Sequence, residues 1–111
     1  MSLITYVVNT MKAKLKEPYN QFFGTLANQV RLDIIKYLIT QNNNVNEIVK
    51  AVGKNQSTIS HSLKRLECCG FVTCKKDGKN RIYSLNKKTI KPLFELMENH
   101  MEVYCKKIIE K

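Results

Sequence analysis

Gln56, Ser57, Thr58, Ser60 and His61 stand in one short run, and Lys64 and Arg65 follow at once. Amide and hydroxyl groups of this kind hydrogen-bond to base edges, while the cations suit phosphate oxygens. A second group, Lys75, Lys76, Lys79 and Arg81, surrounds the turn-prone Asp77-Gly78-Lys79-Asn80. Cations on a projecting hairpin can meet a nucleic-acid backbone or a neighbouring minor groove. Each group also has a plainer reading. Ser, His and Lys are ordinary on a surface helix, and charged edge strands guard a sheet against edge-to-edge aggregation.

The other reactive side chains assemble into less. The histidines are His61 and His100, and no Ser/His/Asp set, phosphate loop or carboxylate pair accompanies them, so catalysis is not expected. Cys68, Cys69, Cys74 and Cys105 show no CxxC pair and no framework spacing, which argues against a secreted disulfide scaffold. Cys68, Cys69 and Cys74 cluster in sequence and could bind a thiophilic ion or act as a redox pair. Metal sites usually need three or four ligands, however, and a free cysteine also serves as a small buried hydrophobe. No cofactor or metal is therefore assigned; a metal or thiol effector is kept only as a minor alternative.

The charge of the chain is uneven. The 111 residues carry 19 basic and 9 acidic side chains, a formal charge of +10. Residues 53–91 hold ten of the basic groups against Glu67 and Asp77, a net of +8. A localised excess of this kind suits a phosphate-facing surface, with a lysine-rich solvated face as the bland alternative. The length fits one domain. Hydrophobic residues at 43% and charged residues at 25% are those of an ordinary globule. No run nears the ~18 apolar residues of a membrane span, and no leader pattern opens the chain, so an intracellular protein is expected.

The elements that must carry these residues are readable from periodicity and punctuation. Leu3, Ile4, Val7, Val8, Met11 and Leu15 form a helical stripe after Ser2, and Pro18 should end that helix near Glu17. A second helix is predicted over residues 19–27 with Phe22, Phe23 and Leu26 inward. A third follows the cap Asn28, with Val30, Ile34, Ile35 and Leu38 on one face. Residues 41–44 read as a loop. Asn46 is the expected cap of a short helix stopped by Gly53, and the next helix runs over residues 56–69 to Gly70. Two short helices joined by a tight glycine turn are the helix-turn-helix pattern.

At about 100° per residue, Ile59, Leu63 and Leu66 face inward and Ser57, His61, Lys64 and Cys68 outward, with Ser60 and Arg65 on the two edges. Residues 71–76 and 81–85 read as strands of a hairpin, the wing. A last helix, capped by Thr89, is predicted to Ile109. Its Ile90, Phe94, Met97, Met101, Tyr104 and Ile108 recur at heptad steps. The fold class is thus mostly α with a small β-hairpin, a single winged helix-turn-helix domain over residues 1–111.

At this point the chain resembles a known family. Leu26-Ala27-Asn28-Gln29-Val30-Arg31-Leu32-Asp33-Ile34-Ile35-Lys36-Tyr37-Leu38 is similar to the "LAxxxRLxIIxxL" segment of ArsR/SmtB-type repressors. Residues 46–53 resemble the first helix of their helix-turn-helix. Asn55-Gln56-Ser57-Thr58-Ile59-Ser60 and Leu63-Lys64-Arg65-Leu66 resemble their recognition helix "SQSTVSxHLxxL". Gly70-Phe71-Val72 and Asp77-Gly78-Lys79 with Tyr83-Ser84-Leu85 resemble the wing, so the likeness covers residues 20–88 in unbroken order. It implies a homodimer, a cytoplasmic location, operator binding and repression. It also implies that Gln56, Ser57, Ser60 and His61 face bases and that Lys64, Arg65 and the wing cations lie near the backbone. One departure is Ser62 where the family often has histidine; here the histidine is His61. The family's thiol-rich metal motif would fall near Glu47-Ile48-Val49-Lys50, which has no cysteine. Its C-terminal metal site would have only His100 with Glu95, Glu98 and Glu102.

The terminal helices, residues 1–17 and 89–110, are expected to pair across a two-fold axis through Ile4, Val8, Met11, Leu15, Phe94, Met97, Met101, Tyr104 and Ile108. Two recognition helices would then meet half-sites of a pseudo-palindromic duplex about 10 base pairs apart or a multiple of that. The expected function is a sequence-specific double-stranded-DNA-binding regulator, acting as a repressor. A MarR-like regulator with a small-molecule ligand and a winged helix used for protein contacts are the alternatives.

Overall fold

The computed structural model describes residues 2–3 and 17–109. Residues 17–26 are helical and are called α1. Then come α2 (Gln29–Thr40), β1 (Asn43–Asn44), α3 (Val45–Val52), α4 (Gln56–Cys68), β2 (Val72–Asp77), β3 (Asn80–Leu85), α5 (Ile90–Tyr104) and α6 (Lys106–Ile109). The strands form one antiparallel sheet in the order β1-β3-β2. Among the described residues no helix is long and apolar enough to cross a membrane.

One core holds these pieces together. Ile34, Ile35 and Leu38 of α2, Ile48 of α3, and Ile59, Leu63 and Leu66 of α4 are fully buried, and Phe71, Val72 and Leu85 of the wing root close over them. The apolar stripe of each helix, spaced at three and four, is what turns inward. Phe22 of α1 stacks on Phe71 with ring centroids 5.0 Å apart, which fastens α1 to the start of the wing.

Local chemistry sets the helix ends. Asn28 Oδ1 accepts from Arg31 N at 3.0 Å and starts α2 as expected. The cap of α3 is Asn44, not Asn46: its Oδ1 accepts from Glu47 N at 2.9 Å. The same asparagine ends β1, which occupies half of the predicted loop. Asn43 pairs with Tyr83 and Asn44 with Ile82, and Asn43 Nδ2 donates to Tyr37 Oη at 3.0 Å. Asparagine disfavours strands, so only the partner strand and Tyr37 draw this pair into the sheet.

Four further expectations are corrected. Glu17 and Pro18 are themselves helical, because a proline's own φ is already that of a helix. Phe23, expected inward, is 61% exposed; Thr25 takes the buried position on α1. Thr89 makes no side-chain cap. Asn86 serves instead, its Oδ1 accepting from Lys88 N at 3.1 Å and Thr89 N at 3.4 Å while its Nδ2 donates to Gly70 O at 3.0 Å. The last helix is interrupted at Cys105, so Ile108 belongs to a separate short helix and the heptad seam does not run on unbroken.

The apolar surface that α5 leaves exposed differs from the expected seam. Phe94 is 3% exposed and lies in the protomer's own core beside Ile90, with Met97 packed against it. Leu96, Met101, Val103 and Tyr104 are the apolar residues that α5 leaves exposed. Ile4, Val8, Met11, Leu15 and the side chain of Ile108 lie outside the described residues.

Candidate nucleic-acid interface

The interface is built on the turn between α3 and α4. Gly53 ends α3 with φ 79°, the left-handed conformation that glycine adopts without a Cβ clash. Asn55 then caps α4, its Oδ1 accepting from Thr58 N at 2.8 Å. The cap leaves other first-turn N–H groups of α4 without intrahelical partners, at the positive end of the helix dipole.

α4 is anchored from behind by Ile59, Leu63 and Leu66. On its outer face Ser57, Ser60, His61 and Lys64 line one shallow depression, and all four are exposed. Gln56 is exposed at the helix start, while Thr58 is half-buried. A hydrogen-bonding floor with a cation further along the helix matches a groove edge beside a phosphate.

Arg65, expected near the backbone of the duplex, also makes a contact within the protein. Its Nε donates to Thr25 Oγ1 of α1 at 3.0 Å. On the helical wheel Arg65 lies on the edge of α4 opposite Ser60, and that edge faces α1. The fully buried Thr25 hydroxyl needs partners there. Arg65 remains exposed overall, so its remaining guanidinium nitrogens are not enclosed.

The wing stands beside α4, which packs on β2. Asp77 pairs with Asn80, so the hairpin loop is Gly78-Lys79 alone, with φ 64° at Gly78 and no positive φ at Lys79. That is the pattern of a type II′ turn. It brings Lys76 directly opposite Arg81. Like charges in that position destabilise a hairpin. Lys75, Lys76, Lys79 and Arg81 are exposed, and among the described residues the ion pair present is Lys50–Glu47 at 3.4 Å, on α3. The wing cations are thus left unneutralised.

Below the tip, Tyr83 is nearly buried and pairs across the strands with Cys74. Burial, and then the neighbouring Cys74, push the Tyr83 phenol above its ordinary range, so it is protonated at neutral pH. Among the described residues no three His, Cys, Asp or Glu side chains converge as a metal site. Cys68 is exposed, Cys69 lies 3.3 Å from Thr25 Oγ1, and Cys74 sits against Tyr83. The sequence reading missed Thr25 and Asn86. Neither carries a motif, and their roles depend on partners 40 and 16 residues away.

Residues 28–73 match the family model described as "Bacterial regulatory protein, arsR family". An uncharacterised HTH-type transcriptional regulator of Mycobacterium tuberculosis, Rv0081, is 35% identical over 66 residues, which span 59% of this chain and 58% of that protein. The crystal structure of Rv0081 superposes with a TM-score of 0.79 at 27% identity, covering 86% of this chain and 97% of that one. A probable mercury resistance operon repressor of Streptomyces lividans is 32% identical over 65 residues, 59% of this chain and 52% of that protein. The homodimeric winged helix-turn-helix DNA-binding domain of a possible ArsR-family transcriptional regulator from Mycobacterium bovis superposes with a TM-score of 0.76 at 28% identity, covering 83% and 85%. The chain thus spans little more than half the length of the curated relatives it matches. The fold of the described residues is thus a winged helix-turn-helix, and its residues 28–73 are similar to regulators of the arsR family.

Proposed function

We propose that the chain is a homodimeric, sequence-specific double-stranded-DNA-binding transcriptional regulator that acts as a repressor. The observation that carries this is the outer face of α4. Ser57, Ser60, His61 and Lys64 share one exposed depression beside a wing whose Lys76 and Arg81 face each other unneutralised. Phosphates are the counter-charge that such a surface lacks. Gln56, Ser57, Ser60 and His61 read base edges, with the half-buried Thr58 at their flank. Lys64, Lys76, Lys79 and Arg81 hold the backbone, and Arg65 does so with whatever its bond to Thr25 leaves free. The named relatives, a repressor and a homodimeric DNA-binding domain among them, support the same reading.

The dimer rests on exposed apolar surface. Tyr19 and Phe23 of α1, stacked at 6.3 Å, and Leu96, Met101, Val103 and Tyr104 of α5 are large apolar groups facing water. Exposed apolar groups of this size suit an interface, and Phe23 and Met101 line one shared depression. In this reading Met101 and Tyr104 contribute to the dimer surface together with Leu96 and Val103, while Phe94 is buried in the core. An assembly module without DNA is disfavoured by the net +8 of residues 53–91. The protein works in the cytoplasm, where its operator lies, and the reading requires no metal and no catalysis.

Selection of duplexes from a random pool, followed by gel-shift titration, tests the reading. With ~6–10 phosphates neutralised per dimer, log affinity should fall against log salt with a slope of about −0.9 per contact. Lys64→Ala and Arg81→Ala should weaken all duplexes alike and flatten that slope. Gln56→Ala and Ser57→Ala should weaken the selected duplex selectively, by about 1–3 kcal/mol for a base contact. Unchanged affinity in both cation variants would defeat the assignment.

A further inference from the structure

Thr25 lies on α1, away from the α4 face that meets DNA, yet its side chain is fully buried. Its hydroxyl donates to Gln21 O at 2.6 Å, so the oxygen is left as an acceptor. Arg65 Nε fills that role at 3.0 Å, and Cys69 Sγ lies 3.3 Å away. Both partners belong to the C-terminal end of α4, Arg65 inside the helix and Cys69 as its C-cap residue. One oxygen therefore ties α1 to the end of α4 remote from its DNA-facing N-terminus.

Its importance follows from what else holds α4. Ile59, Leu63 and Leu66 seat the helix through apolar burial, which is strong but non-directional. The Asn55 cap fixes the first turn of α4 only to its own chain neighbour. Among the described residues, the side-chain hydrogen bonds that join α4 and its C-cap to another helix both meet at Thr25 Oγ1, from Arg65 within α4 and with Cys69 at the cap. A directional bond near one end of a rod seated on a greasy bed sets how the rod is rolled. α1 is also the helix that presents Tyr19 and Phe23 outward. In a dimer built on that surface, the Thr25 bond relates the recognition helix to the two-fold axis.

The geometry points to Thr25 as a positioning residue: through Arg65 it fixes the roll of α4 against α1, and so sets which half-site separation the dimer accepts. This rests on the DNA-binding reading above. Thr25 touches no DNA; it acts through Arg65.

The test compares wild type, Thr25→Val, Thr25→Ser and Arg65→Lys on duplexes selected by the wild type from a random pool. Each duplex is used at its selected half-site separation and with one base pair inserted or removed at the centre. Thr25→Val keeps the shape and deletes the oxygen. Arg65→Lys keeps the charge and puts a methylene where Nε stands, in a residue that is exposed and free to refold around the change. Both variants should lose about three- to tenfold of the preference for the selected separation, the net worth of one ordinary hydrogen bond. Thr25→Ser should restore it. The readout is a ratio within one protein, so a partly unfolded variant weakens every duplex alike and leaves the ratio unmoved. Preference ratios equal to wild type in Thr25→Val and Arg65→Lys would overturn the inference while leaving the DNA reading intact. A wild type that binds no duplex would overturn both.

Discussion

At the scale of single residues, asparagine does much of the local work. Asn28, Asn44 and Asn55 each cap a helix through Oδ1, and Asn86 joins the two ends of the wing. A cap is a contract between near neighbours, which is why Asn28 and Gly53 could be read from the sequence. Asn46 lost to Asn44 because β1 delivers Asn44 in extended geometry, and the sequence holds no sign of that strand. The bond from Arg65 to Thr25 was illegible for a related reason. Periodicity placed Arg65 on the edge of α4, and what meets that edge is decided by α1. Tyr83 carries a prediction of its own. Its phenol pKa is raised in the folded state, so the native protein keeps that proton longer than the unfolded chain. The associated stability is fully present below the unfolded value, about 10, and is lost as pH rises through the folded value. Denaturant melts of wild type and Tyr83→Phe across the alkaline range should therefore converge in slope below that pH and diverge above it, with the wild type declining more steeply.

At the scale of elements, α2, α3 and α4 were readable within a residue or two, since each buries one stripe and has an asparagine cap at its start. The wing was equally plain, because Asp77-Gly78-Lys79-Asn80 lies between two apolar-rich runs. The start of α5 was not. Asn86 holds it by accepting from two backbone N–H groups, while its own N–H donates to Phe71 O at 2.9 Å. Asn86→Ala should cost roughly 1 kcal/mol, the usual worth of a lost cap. It should also raise amide exchange at Lys88 and Thr89 while leaving α2 and α3 protected, which hydrogen-exchange mass spectrometry would resolve.

For the whole molecule, the expectation of a partner came from apolar stripes on the terminal helices. The described structure moves the exposed stripe around α5. A heptad pattern reports that a helix buries a face; it does not report whether the face meets its own chain or another. Phe94 turned to its own chain, whereas Leu96 and Val103 remain in water. Leu96→Glu should accordingly shift the protein toward monomer in sedimentation velocity and weaken the selected duplex at least tenfold. Half-site binding by one protomer forfeits the linked second contact. Its melting temperature at low protein concentration should stay near wild type, since the protomer core is untouched.

The juxtaposition of Lys76 and Arg81 across the hairpin reaches beyond the site itself. Free in dilute buffer, the wing is a spring loaded by its own repulsion, and dissolved ions discharge it. Added potassium chloride should thus tighten the unliganded hairpin over the same range in which it strips the protein from its duplex. Fold and binding then answer to ionic strength with opposite sign, and a duplex phosphate lodged between the two side chains does for the hairpin what the electrolyte does.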